Sequence, residues 1–398
     1  MYTFEELNSS FNSLINAKNC KGKDLPVGVD GMTGLSFKKN QCQYIREIKR
    51  VLERFSTPSN KFDFGVLYQL RRVKKSGGYR HLYVPRIRDQ IVFKCMLEEL
   101  KTELSERGLI LKSSPRNFVE RFHDYSIKNQ CNWVLRTDIS SFYNSIDRSI
   151  LLEELQRLNL RSSLLMLIRH WLSNIRYRDP QTLKTCSLQN GLPQGISLSS
   201  LLAEYYLTSI DNQYGPRYFR YIDDIVIFCN NKDDGRIERY RLMKLLKVKN
   251  LELSRLKTQI VPLERGVEWL GLRHYPDRVI HADKEKYGEW RQGVIGVLRK
   301  IRHRHPKVSQ KNLNLIQIKK EIFSEIDAYL KGDYNRRTKW YKLILNQGQW
   351  KEFDSFIHGQ IKFALKYYGL KIEASDILPS IQINLSRAEK GMKPPITD

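Results

Sequence analysis

Apolar positions recur at helical spacing from the start of the chain. Phe4, Leu7, Phe11 and Leu14-Ile15 predict an amphipathic helix over about the first twenty residues. The segment PVGVDGMTGL (26–35) breaks this period with Gly and Asp and reads as an ordered turn. Helical spacing returns at Ile45, Ile48, Val51-Leu52 and Phe55. From Leu67 to Val84 the period falls to two. YQLRRVKK, SGG and YRHLYVP describe a hairpin with a glycine turn and a basic tip. Ile87 to Leu104 is helical again. WVLRTDI (133–139) reads as a buried strand ending on Asp138, followed by a helix marked by Leu151, Leu152, Leu155 and Leu158.

Past Gly195, LSSLLAEYYLTSI predicts another helix, which leads into RYFRYIDDIVIFC. There the runs Tyr218 to Ile222 and Ile225 to Cys229 read as strands, with Asp223-Asp224 in the tight turn between them. Such apolar flanks bring two carboxylates to the edge of a core, where their repulsion costs stability unless a cation neutralises it. Val261 to Leu272 suggests a short strand pair carrying Trp269 and Leu270. Lys284 to Lys320 is strongly basic at helical spacing. Leu313 to Leu370 continues as amphipathic helices (Ile318, Ile322, Ile326, Leu330), a separate helical region with a frayed tail past Arg387.

Charge narrows the choice of partner. Lys and Arg number 69 against 43 Asp and Glu in 398 residues, a formal charge of +26. This excess repels itself unless a polyanion relieves it, so nucleic acid is the leading partner and an anionic membrane surface the second. No run of about eighteen apolar residues occurs, and MYTFEELNSSF lacks the layout of a signal segment. The expectation is a soluble, cytoplasmic protein with no membrane partner. Cys20, Cys42, Cys95, Cys131, Cys186 and Cys229 form no CxxC, which predicts reduced, mainly buried thiols and no zinc site.

Asp138 at one strand end and Asp223-Asp224 in a neighbouring hairpin together suit a site for two divalent ions, which activate an attacking hydroxyl and stabilise a leaving pyrophosphate. The residues around Asp138, DISSFYNSID, resemble the first catalytic motif of reverse transcriptases. Further resemblances follow in that family's order. GVDGMT (28–33) resembles the motif before the fingers in group II intron and related bacterial enzymes, and KKSGGYRHLYVPRIRDQIVFKCMLEEL (74–100) the two fingers motifs. GLPQGISLSS (191–200) resembles the Pro-Gln-Gly motif, and YIDD the Tyr-x-Asp-Asp motif. LELSRLKTQI (251–260) is similar to the segment carrying the family's lysine, and GVEWLGL (266–272) to its primer-grip hairpin.

The resemblance implies an α+β right-hand polymerase with an antiparallel palm sheet and a helical, thumb-like C-terminal domain. The implied divisions are an N-terminal helical extension (1–60), fingers (61–137), palm (138–279) and basic thumb (280–398). Carried over by motif, Asp138, Asp223 and Asp224 would be catalytic and would bind two Mg2+ ions, with Mn2+ able to substitute and the Ile139 backbone carbonyl as a further ligand. Lys74 or Lys75 and Arg80 would clamp the triphosphate. Gln194 and Gly195 would lie under the incoming nucleotide, and Lys257 would assist the departing pyrophosphate. Tyr143, five residues after Asp138, occupies the steric-gate position, where an aromatic ring collides with a ribose 2′-hydroxyl. That favours dNTPs and a DNA product. Trp269, Lys284, Arg291, Arg299, Arg302 and Arg304 would face nucleic acid.

Within the family, ISLSSLLAEYYL replaces the Ser-Pro continuation of intron and retron enzymes, and with DISSFY it looks most like the bacterial defence-associated, abortive-infection group. This implies a role in anti-phage immunity with an associated non-coding RNA. Template-independent or protein-primed synthesis, and a maturase-like RNA-binding scaffold that does not polymerise, are the alternatives. Expected partners are an RNA template, the DNA product and dNTPs, with a partner protein or self-association left open.

Overall fold

The fold is taken from a computed structural model, which describes residues 1–16, 27–55, 62–73, 77–109, 115–129, 131–276, 280–282, 284–306, 314–331 and 347–371. The chain forms two compact units, one of residues 1–113, 137–225 and 236–258, the other of 114–136, 226–235 and 259–398.

In the first unit the N-terminal period produces the helix Phe4–Asn16, whose Leu7 and Phe11 are fully buried. It packs on the helix Ile87–Glu106, which also contacts the helix Ser197–Tyr206. Ile87–Glu106 is apolar on several faces, and Ile91, Val92, Met96 and Leu100 are wholly enclosed, as suits a helix inside a core. The basic hairpin forms as its alternation dictates, with Leu67–Val73 antiparallel to Tyr79–Val84 and Arg72 opposite Arg80. Two three-residue strands, Arg176–Arg178 and Thr185–Ser187, widen it to four strands. They are too short to show a period, and sequence alone did not reveal them. Buried Asp89 locks the RIRD corner, accepting from the Gly65 amide at 2.9 Å and from Arg88 Nε at 3.0 Å.

In the second unit, Trp133–Arg136 pairs antiparallel with Gln259–Pro262, Val134 opposite Val261 and Leu135 opposite Ile260. Val267–Trp269, Leu272–His274 and Ile280–Ala282 form a three-stranded sheet. The helices Lys284–Arg304, Leu315–Tyr329 and Gln347–Tyr367 pack on one another around Trp290, Val294, Ile322, Ile326, Phe353 and Ile361. The spacing of Ile318, Ile322 and Ile326 had predicted this inward face, and Asn314 caps its helix by accepting from the Gln317 amide at 3.1 Å. The helix Pro115–Asn129 was not foreseen; its Phe122 lies in an aromatic cluster with Phe228 and Trp269.

Among the described residues, Cys95 and Cys229 are buried, Cys131 and Cys186 half-buried and Cys42 exposed, so the thiols are less buried than expected. No described helix is long and apolar enough to cross a membrane.

Candidate active site

The acidic hairpin differs from its sequence reading by one position. Tyr218–Tyr221 and Asp224–Cys229 are the strands, so the two-residue turn is Ile222-Asp223 and Asp224 opens the second strand. Ile222 has φ +60°. In this turn φ is positive at the first central residue alone, a place that normally belongs to glycine. Apolarity placed Ile222 in the strand, whereas backbone geometry puts it in the turn. A β-branched residue held at positive φ is a strained element of the kind that gathers at functional sites.

Three distant segments meet here through the backbone. The Ile139 amide donates to the Asp223 carbonyl at 3.0 Å, and the Ser254 amide to the Asp138 carbonyl at 2.7 Å. The Ser140 amide reaches the Glu252 carbonyl at 2.8 Å, and Ile139 bridges Leu253. Asp138 and Asp223 are thereby brought together. Burial, and then the Asp138 charge, raise the pKa of Asp223 above the ordinary carboxylate range, while Lys257 and Arg80 pull it back. Lys257 Nζ lies 2.7 Å from Asp138 Oδ2. With the lysine more than half exposed, this ion pair contributes little to stability, but it puts a cation beside the strand-end carboxylate.

Arg80 is exposed on the basic hairpin, within electrostatic reach of Asp223 and Tyr143. The hairpin is also fastened to the Pro-Gln-Gly loop, because the Tyr83 amide donates to the Gln194 carbonyl at 2.7 Å. Gly195, at φ +101°, lies against it so closely that an added Cβ would come within 3.2 Å of the Tyr83 carbonyl oxygen. Tyr143 is half-buried. Its hydroxyl donates to Ser200 Oγ at 3.3 Å, and its carbonyl accepts from the Leu192 amide at 2.7 Å. Gly191 admits this contact: an added Cβ would sit 2.3 Å from the Tyr143 carbonyl oxygen. Asp138, Ile139, Tyr143, Gln194, Gly195, Asp223, Asp224, Lys257 and Arg80 thus all belong to the first unit.

Lys74 and Lys75 lie outside the described residues. Trp269, expected to face nucleic acid, is instead fully buried against Phe118, Phe122 and His274, so its indole is core. Apolar flanks that suggested a strand pair could not say which face was covered. Of the basic helix residues, Lys284, Arg291, Arg299 and Arg304 are exposed. Arg291 stacks over Phe356 at 4.4 Å, half-exposed Arg302 lies 4.9 Å over Phe363 and Tyr367, and Arg304 pairs with Glu321 and Glu325. Sequence reasoning missed Arg148, which donates to the carbonyls of Gly191 (2.7 Å), Leu172 (3.0 Å) and Leu188 (2.8 Å), and Arg220, directly before YIDD. A lone arginine inside an apolar run was the available signal for Arg220.

For a metal, the donors are hard oxygens, and the mutual repulsion of Asp138 and half-buried Asp223 is what a divalent cation relieves, so this pair fits one. Among the described residues no group of three His, Cys, Asp or Glu side chains forms a ready-made cluster.

Comparison with known proteins places the motifs together. The family model of reverse transcriptase (RNA-dependent DNA polymerase) matches residues 73–274. No curated protein matches the sequence. Among solved structures, apo telomerase from Candida tropicalis truncated from its C-terminal domain is similar at 12% identity and TM-score 0.46, covering 61% of this chain and 60% of that one. Apo telomerase from Candida tropicalis aligns at 12% identity and TM-score 0.47, covering 88% of this chain and 71% of that one. Telomerase from Candida albicans with a fragment of telomeric RNA aligns at 10% identity and TM-score 0.44, covering 92% and 68%. The chain thus spans less than two thirds of the first of these. With the family model covering half of its length, from the basic hairpin through the acidic turn to His274, the chain belongs to the reverse transcriptase family of RNA-dependent DNA polymerases.

Proposed function

We propose that this protein is an RNA-directed DNA polymerase whose reaction centre is the Asp138–Asp223 pair. The observation that carries this reading is the backbone bond from Ile139 to Asp223, which brings the two acidic motifs of a family member to one place. Asp138 and Asp223, with the Ile139 carbonyl and Asp224, would hold two divalent cations, magnesium or manganese, whose chemistry is activation of a primer hydroxyl and stabilisation of the departing pyrophosphate. The chain's own groups have separable tasks. Arg80, on a hairpin fastened to the Gln194 carbonyl, faces the negative charge of a triphosphate. Lys257, now paired with Asp138, is placed to move its charge towards a leaving pyrophosphate. Gly195 leaves room for a base pair to approach the backbone. The Tyr143 ring, held at both its hydroxyl and its carbonyl, excludes a 2′-hydroxyl and so selects dNTPs.

In this reading residues 61–137 act as fingers, 138–279 as palm and 280–398 as a basic thumb that grips an RNA-containing duplex through phosphate contacts. The wording ISLSSLLAEYYL further favours a role in bacterial anti-phage defence, with a dedicated non-coding RNA as template. The test is primer extension on RNA with dNTPs and magnesium or manganese. Wild-type protein incorporates label and the Asp223→Ala, Asp224→Ala double variant does not. Continued synthesis by that variant overturns the assignment, and sequencing of co-purifying nucleic acid identifies the template.

A further inference from the structure

Arg220 does nothing in the chemistry just described, yet its guanidinium is almost wholly buried, with 6% of the residue exposed. Arginine keeps its charge in proteins, so an interior guanidinium must find acceptors for a rigid fork of donors. Here Nε donates to Asp211 Oδ1 at 2.8 Å, and Nη2 to Asp211 Oδ2, a two-pronged pairing. Nη2 also lies 3.5 Å from Glu204 Oε1. The remaining arm, Nη1, donates to the Ile222 carbonyl at 2.9 Å. Asp211 and Glu204 belong to the helices Thr208–Asp211 and Ser197–Tyr206, the latter beginning two residues after Gly195. Arg220 therefore ties the elements that follow the Pro-Gln-Gly loop to the acidic turn.

The point of attachment is informative. Ile222 is the strained residue, and its carbonyl begins the peptide that carries Asp223. The next carbonyl, that of Asp223 itself, accepts from Ile139. Consecutive carbonyls of the turn are thus fixed by different donors, one from the Asp138 strand end and one from Arg220. Stability alone does not call for this, because a buried ion pair is commonly no better than a well-packed apolar replacement.

We propose that Arg220, braced by Asp211 and Glu204, is a positioning residue that holds Ile222 in its strained conformation and so aims the Asp223 carboxylate at a divalent cation. The proposal rests on the polymerase reading of Asp138 and Asp223. Its test uses the full-length protein, Mn2+ titrations followed by electron paramagnetic resonance, thermal melts and single-nucleotide kinetics. Arg220→Met leaves the Glu204 and Asp211 carboxylates without their cation, so its Tm falls, and the protein stays folded at the assay temperature. Its Mn2+ affinity and kcat each fall about 10- to 100-fold, as losses of groups behind metal ligands do, while the KM for dNTP is little changed. Asp211→Asn, which leaves the guanidinium in place but loosens its brace, shifts both in the same direction by less, and it decides the matter should Arg220→Met fail to fold. Adding Ile222→Gly, which removes the strain, restores part of the Mn2+ affinity in the Arg220→Met background and little in the wild type.

Wild-type Mn2+ affinity in folded Arg220→Met or Asp211→Asn protein overturns the proposal, and so does a loss of affinity that only tracks a fallen Tm. Wild-type protein that binds Mn2+ but extends no primer sinks the polymerase reading alone, since metal affinity still judges the brace. Wild-type protein that takes up no Mn2+ at all overturns both.

Discussion

Two tight hairpin turns, one in each unit, reverse the chain by opposite means. In the acidic hairpin Ile222-Asp223 turns the chain, with φ positive only at Ile222 (+60°). In the hairpin Val267–Trp269 to Leu272–His274, Leu270-Gly271 turns it, with φ positive at both residues (+54° and +75°). The second keeps a glycine where a two-residue turn wants one. Beneath it lie Trp269, Phe122 and a pair of imidazoles, with His123 Nε2 3.0 Å from His274 Nδ1. The first has no glycine, and Arg220, Asp211 and Glu204 sit beneath it. One hairpin is shaped for packing. The other is held in tension by charge next to carboxylates that repel one another, an arrangement that stability disfavours.

The largest effect expected from this contrast is on activity. Asp138→Ala or Asp223→Ala lowers primer extension by at least about a thousandfold, the scale of losing a principal electrostatic group. Asp223→Asn should also raise the Tm at neutral pH. Burial and Asp138 raise the Asp223 pKa, so the ionised form is the disfavoured one in the folded state, and stability falls as pH rises through that pKa. A destabilised Asp223→Asn protein would erase the contrast, since it would make the acidic hairpin an ordinary structural one.

Trp269→Ala acts on the other hairpin. A fully buried indole lost from an aromatic cluster costs about 3–5 kcal/mol, read as a drop in denaturant midpoint. A near-neutral result would return Trp269 to the surface role that its sequence context suggested. The failure of that expectation shows where sequence stops being legible. Period and apolarity revealed most long elements, and the motif order revealed Asp138, Asp223 and Lys257 as neighbours-to-be. Neither reports which side of a three-residue strand is covered, so Trp269 was misplaced. Neither reports a φ angle, so Ile222 was assigned to a strand and Asp224 to a turn. Arg220 was invisible for a related reason, because its partners Asp211 and Glu204 read as one more polar residue and one more acid on helices. The short strands at 176–178 and 185–187 exist through pairing with Leu67 and Tyr68 and between themselves, not through any local pattern.

The imidazole pair gives the packed hairpin a pH dependence of its own. His274 is fully buried. Its Nε2 lies 3.1 Å from the Trp269 carbonyl, which can only accept, so Nε2 carries the proton and Nδ1 accepts from His123. Burial foremost, with the Arg136 charge also contributing, lowers its pKa to about 4. An unfolded histidine titrates near 6.5, so between roughly pH 6.5 and pH 4 the unfolded chain binds a proton that the native chain refuses. Stability from this group is therefore complete above about pH 6.5 and falls by up to about 3 kcal/mol as the pH approaches 4. Denaturant melts of wild type and His274→Asn at pH 7 and pH 5 check the sign, and the variant should show the shallower slope.

The smallest effect discriminates most sharply, because it sets the two turns against each other with one substitution. Glycine relieves the strain of a side chain at positive φ, worth about 1–2 kcal/mol, but adds about 0.5–1 kcal/mol of unfolded-chain entropy. At Ile222 the strained position is the one that glycine normally fills and the side chain is β-branched, so relief offsets both the entropy and the loss of a half-buried side chain, and Ile222→Gly comes out near neutral. At Leu270 the following Gly271 already eases the turn, and the leucine side chain packs on the core of the three C-terminal helices. Leu270→Gly forfeits that burial and loses about 1–2 kcal/mol net. Chemical melts should show Leu270→Gly clearly destabilised and Ile222→Gly little changed. An equal loss at both sites would mean that Ile222 is held by its packing and not against its backbone preference, and Arg220 would then have no strain to restrain.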